Sequence, residues 1–176
     1  MLDWVNTKAA LSICTLALVA AAGMWYEYNA DKLQDQEFQA MLDNFVAVVD
    51  EVGYSSAYIS LNITHSEQND GSGGYYLNPL FNDKTYQIIL TETHAVFSQD
   101  QLRCSRAFAT NVALISSPHQ IESSQYIQPG TIFTEKDLSA STSSILKLES
   151  VNDLTVTKIR VESSGIEQNA VMIVQQ

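Results

Sequence analysis

Ala9–Tyr26 reads AALSICTLALVAAAGMWY, eighteen residues without a charge, and the chain then continues to Val52 without a proline. At 1.5 Å per residue such a helix covers about 27 Å, close to the hydrocarbon thickness of a bilayer. Ala9, Leu11, Ile13, Leu16, Leu18, Val19, Trp25 and Tyr26 supply the apolar surface of this predicted membrane span. Trp4 precedes it and Trp25, Tyr26 and Tyr28 close it, at the depth where amphipathic rings favour headgroups. Lys8 lies before the span, and Glu27 and Asp31 come after it. That asymmetry places the N-terminus in the cytoplasm and the rest of the chain outside. The competing reading is a cleaved secretory signal, with Lys8 as its basic region and Ala20-Ala21-Ala22 as its small-residue junction. The unbroken helical pattern beyond that junction favours a retained anchor, and both readings export the remainder of the chain.

Beyond the span, Phe38, Met41, Leu42, Phe45, Val48, Val49 and Val52 recur at spacings of three and one, which gathers them on one stripe of a helix. Asp35, Gln36, Gln39, Asp43, Asn44 and Asp50 occupy much of the remainder. Span and stripe together predict one helix about 65 Å long. Gly23 can bend it without breaking it, and Gly53 is the expected C-cap. The stripe is the face against which the C-terminal domain packs, or a seam with neighbouring copies of the same helix. The two uses are compatible, because different ends can serve different contacts.

After Gly53 the composition turns to β-branched, aromatic and hydroxyl residues. Strands are expected at 58–64, 85–90, 93–98, 105–115, 131–134, 145–149, 154–162 and 170–174. Asn69–Gly74, Asn82-Asp83-Lys84, Ser98-Gln99-Asp100, Gln128-Pro129-Gly130 and Ser163-Ser164-Gly165 read as turns. The longest loop is expected within Ser116–Ser144. The fold class is therefore α+β: a long N-terminal hydrophobic and amphipathic helix over residues 1–53, then an antiparallel, β-rich, sandwich-like head over 54–176.

From Lys32 onward there are 17 acidic and 8 basic residues, nine negative charges in excess. Such a surface repels nucleic acid and anionic lipid. Cys14 in the span and Cys104 in the head cannot form a disulfide framework, and Cys104 reads as a small buried hydrophobe. His65, His94 and His119 have no companions at metal-ligand spacing, and no phosphate loop or nucleophile elbow occurs. The segment Asn69-Asp70-Gly71-Ser72-Gly73-Gly74 lacks the spaced acids and terminal glutamate of a calcium loop. No cofactor, metal or catalytic residue is expected. Asn62-Ile63-Thr64 is an N-glycosylation acceptor, which the topology places outside the cytoplasm.

Two segments carry a resemblance. One is Trp4–Val52, entered through Trp4-Val5-Asn6-Thr7-Lys8-Ala9-Ala10. The other runs from Leu77-Asn78-Pro79-Leu80-Phe81 through Asn82-Asp83-Lys84-Thr85 to Tyr86-Gln87-Ile88, and then to Ala95-Val96-Phe97-Ser98, Arg103 and Arg106. In pattern these resemble archaeal type IV pilin-like proteins, including the minor, pilin-related ones. The resemblance implies a structural, non-enzymatic, membrane-anchored surface protein. It would be a subunit or accessory component of a type IV pilus-like filament, partnered by the bilayer or by like helices of other subunits. The alternative function is a membrane-tethered extracytoplasmic binding module for a glycan, a cation or an envelope partner, with Glu67–Gly74 and Ser116–Gln128 as contact loops. An exported hydrolase is the third and least supported reading.

Overall fold

A computed structural model describes residues 2–64, 74–115, 129–134, 138 and 143–175, with side chains from Leu11 onward. Among them, helix α1 spans Leu2–Tyr54 and gives way to strands only, apart from one helical residue at Leu138. Two compact units divide the chain at Glu37/Phe38, so the last part of α1 belongs with the strands.

In the first unit the helix passes through Gly23 without interruption. Two of its polar side chains bond back to its own backbone. Thr15 Oγ1 donates to Leu11 O at 2.9 Å, and Asn29 Nδ2 donates to Trp25 O at 2.7 Å. Each i−4 bond satisfies a donor that an apolar environment would otherwise leave unpaired.

The second unit builds two main sheets. One has the order β2-β1-β11-β12-β8, formed by β2 (Tyr75–Tyr76), β1 (Ser60–Thr64), β11 (Leu154–Ser163), β12 (Ile166–Gln175) and β8 (Val112–Ile115), with β9 (Ile132–Thr134) also on β11. The other is antiparallel throughout, in the order β10-β5-β6-β7, formed by β10 (Ile145–Glu149), β5 (Gln87–Thr91), β6 (His94–Gln99) and β7 (Leu102–Ala107). A small ribbon pairs β3 (Leu80–Phe81) with β4 (Lys84–Thr85). The first sheet is mixed: β1·β11 and β11·β12 are antiparallel, whereas β1·β2, β9·β11 and β8·β12 are parallel.

Period-two alternation gives the first sheet two buried faces. Val112, Leu114, Leu154, Val156, Val171 and Ile173 share a core with the helix and the second sheet. Ala113, Ile115, Ile159, Ala170, Met172 and Val174 pack on the other face with Leu138. From α1 come Phe38, Leu42, Phe45, Val46, Val49 and Val52, all buried. Each such side chain contributes roughly 1.5–3 kcal/mol through apolar burial. Phe38 packs on Phe81 (centroids 4.8 Å) and edge-on to Tyr86 (5.8 Å), while Phe45 meets Phe97 at 5.5 Å. Tyr86 still places its hydroxyl on Asn78 O at 2.8 Å, and burial pushes its phenol pKa up. The adjoining Pro79 is tied in by Ser150 Oγ, which donates to Pro79 O.

Two expectations are corrected. The run 105–115 is two strands, because Asp50 Oδ1 accepts from Ala109 N (2.9 Å) and Thr110 N (3.1 Å) and draws that backbone to the helix. β7 then joins one sheet and β8 the other. Gly53 does not end the helix, which runs on to Tyr54 with Ser55 N bonding Glu51 O at 2.9 Å. Glycine is favoured there by space: a Cβ would lie 2.5 Å from Thr110 Oγ1. The turn glycines behave as expected, Gly130 and Gly165 having φ of +82° and +79°.

Candidate functional site

The predicted span residues are displayed rather than packed. Leu11, Ile13, Leu16, Leu18, Val19, Met24, Trp25 and Tyr26 are all exposed, Leu16 at 70% and Trp25 at 69%. The helix is long and apolar enough to cross a membrane, and none of its most apolar window is buried. Lys32 Nζ lies 4.6 Å from the Tyr28 ring centroid, a cation on an aromatic face at the end of the apolar stretch.

The stripe has the opposite fate. Phe38, Leu42, Phe45, Val49 and Val52 are buried, Met41 packs against the same core, and Val48 is half-buried. Val46, outside the predicted stripe, is also buried, because both sheets contribute to the core around the helix.

Asn62 lies exposed in β1, and its Oδ1 accepts from Thr155 Oγ1 at 3.1 Å. The acceptor motif therefore sits in a paired strand, not on a loop tip. His94 hydrogen-bonds Thr93 through Nδ1 at 2.8 Å, while His65 and His119 lie outside the described residues. Both predicted contact loops also fall there except for Gly74. Among the described residues, no group of three or more potential metal ligands occurs. Cys104 is half-buried in β7, and desolvation pushes its thiol pKa up to about 11, so it stays protonated at neutral pH.

A cleft that the sequence pattern does not anticipate opens where α1 ends, with a volume of about 530 Å³. One wall is the chain leaving the helix: Tyr54, Ser55 and Tyr58. Thr110 and Asn111 form a second wall, and Lys158 and Asn169 come from the sheet. β11 creates this opening by changing partners. It pairs with β1 through Thr157 and with β9 from Arg160, while Lys158 N donates to Ile59 O and Lys158 O accepts from Gly130 N.

Lys158 lies on the same strand face as Leu154 and Val156, which carries its side chain toward the helix. It is 5% exposed, and its ammonium donates to Ser55 O. The last turn of α1 has no basic residue of its own, so Lys158 supplies the cation that the negative end of the helix dipole favours. Tyr58 is held by two cations and by the Gly130 backbone. Lys158 Nζ and Arg160 Cζ lie 5.8 and 5.3 Å from its ring centroid, and a Cβ at Gly130 would meet the ring at 2.8 Å. Arg160 bonds Glu167 Oε2 at 3.0 Å and reaches Gly130 O at 3.4 Å. The remaining walls are tied by Asp50 to the 109–110 backbone and by Tyr54 Oη, which donates to Ala109 O at 2.7 Å. Lys158 and Arg160 share one face of a strand in an acidic head, a signal that marks the strand but not the cleft.

In comparisons with protein-family profiles, with curated proteins and with solved structures, nothing matches this chain.

Proposed function

We propose that the chain is a structural, non-enzymatic, membrane-anchored surface protein of pilin-like build. The N-terminus lies in the cytoplasm and the β-rich head outside. The apolar part of α1 is held by the bilayer, or by like helices in a filament of which the protein is a subunit or accessory component. The observation that carries this reading is the exposed run from Leu11 to Tyr28, whose apolar window is wholly unburied in the chain itself. An exposed apolar surface of that extent marks a membrane or association surface. The aromatic and cationic side chains at 25–32 support a membrane boundary at that level. Because the apolar stripe within Phe38–Val52 is already covered by the head's own strands, apolar contacts with neighbouring copies fall to the segment before Phe38.

Alkaline carbonate extraction of membranes tests this directly. The full chain should remain in the pellet, a variant lacking residues 9–26 should move to the supernatant, and electron microscopy of the purified full chain should show filaments or filament-bound protein. Full-length chain in the carbonate supernatant, or a deletion variant that stays with the membrane, would refute the anchor.

A further inference from the structure

The cleft at the end of α1 has a lining that selects a ligand class. At about 530 Å³ it has room for a small ligand, within the usual range of roughly 300–1,000 Å³ for such sites. Among the described residues, no leucine, isoleucine, valine, methionine or phenylalanine lines it, so an aliphatic ligand would find little matching surface. Among the same residues no carboxylate lines it either, which removes the hard oxygen ligands that calcium or magnesium requires. Lys158 lines it but already donates to Ser55 O and offsets the negative helix end. Arg160, just beyond, is engaged with Glu167 and Gly130 O. A net charge of −11 adds a general repulsion of anions.

What the lining offers is two amides, three hydroxyls and two tyrosine rings. Asn111 and Asn169 present both donors and acceptors, and Ser55, Ser56 and Thr110 can do either. Tyr54 is 68% exposed and Tyr58 46% exposed, each on the chain that bounds the opening. The negative face of such a ring suits the weakly positive C–H face of a pyranose, while the surrounding amides suit its hydroxyls.

We propose that this cleft binds a neutral sugar unit of a glycan, with Tyr54 taking the ring, Asn111 and Asn169 taking hydroxyls, and Tyr58 serving as a fixed wall. The site is preorganised. Tyr58 packs close to Gly130 with two cations over its ring, and the Thr110–Asn111 wall is fixed to the helix through Asp50 and Tyr54. Preorganisation lowers the ordering cost that makes sugar binding weak. This inference does not depend on whether the chain polymerises.

The test is saturation-transfer NMR and calorimetry on the full chain in lipid nanodiscs, free of sugar-based detergent. The probes are maltotriose, mannotriose, chitotriose and trigalacturonate. At least one neutral trisaccharide should bind, and Asn169→Ala should weaken it roughly tenfold, the loss of about one to two hydrogen bonds. Tyr54→Ala should weaken it further, whereas Tyr54→Phe should retain most of it. Asn169 is exposed near the tip of a hairpin, so its variant keeps the fold even where the Tyr54 variants disturb the wall. Failure of every neutral probe, binding of trigalacturonate alone, or neutral binding indifferent to Asn169→Ala would each overturn the assignment.

Discussion

Residues 11–28 and 38–52 lie on one continuous helix, and their apolar side chains are treated in opposite ways. The first set is displayed on all sides, Leu16 and Trp25 alike. The second is drawn into a core shared with two sheets, around Phe38, Phe45 and Phe97. Sequence pattern separates them before any packing does. The first segment is apolar all round, which suits a nonpolar surrounding, while the second is amphipathic and suits one packed face. Hydrophobic residues in a helix thus report how many sides must leave water. The position of Asp and Gln residues decides which.

Substituting an aromatic anchor on one side and a leucine on the other breaks the comparison most sharply. Phe45→Ala should destabilise the head by about 3–5 kcal/mol, since Phe45 is fully buried beside Phe97. Leu16→Ala should leave the head's denaturation midpoint where it was. Equal losses for the two variants would show that both segments support the same core.

A smaller effect is expected at the junction of helix and strands. Gly53→Ala adds a Cβ 2.5 Å from Thr110 Oγ1 and 2.8 Å from Thr110 Cβ, so the whole side chain must shift. The overpacking should outweigh the helix-propensity gain and cost about 1–2 kcal/mol net. A second substitution, Thr110→Gly, should recover the overpacking part, which chemical denaturation of the double variant would measure. A Gly53→Ala variant more stable than the parent would mean that Thr110 moves freely.

The smallest effect is alkaline. Folding raises the Cys104 thiol pKa from 9.0 to about 11, so the folded state prefers the protonated form. Its contribution is present in full below about pH 9 and is lost as pH rises toward 11. Tyr86, also raised by burial, acts in the same direction. Stability should therefore decline through that window, and Cys104→Ala should flatten part of the slope. Stability that increased with pH there would contradict the burial of both groups.

The helix and most strands were legible in the sequence because their signals are local. Spacings of three and one between Phe38 and Val52 give the stripe. Alternation and turn chemistry give Ile145–Glu149 and the Ser164-Gly165 turn, with φ of +53° and +79°. Gly53 was misread because its reason lies in Thr110, a residue far along the chain. The break inside 105–115 was hidden for the same cause, since Asp50 imposes it. The cleft was hidden altogether, because no local pattern ties Tyr54 and Tyr58 to Asn111, Lys158 and Asn169. Only the sheet's change of partners at Lys158 does so.

The division of α1 into an exposed apolar segment and a core-facing segment has a natural probe in Cys14, an exposed thiol inside the apolar stretch. A nitroxide on Cys14, in a Cys104→Ala background reconstituted in lipid vesicles, reports its surroundings through collisions with dissolved oxygen and with a water-soluble nickel chelate. The account predicts frequent oxygen collisions and few nickel collisions, the signature of the hydrocarbon interior. Free access of the nickel chelate, with oxygen access no greater than at a surface site, would contradict it.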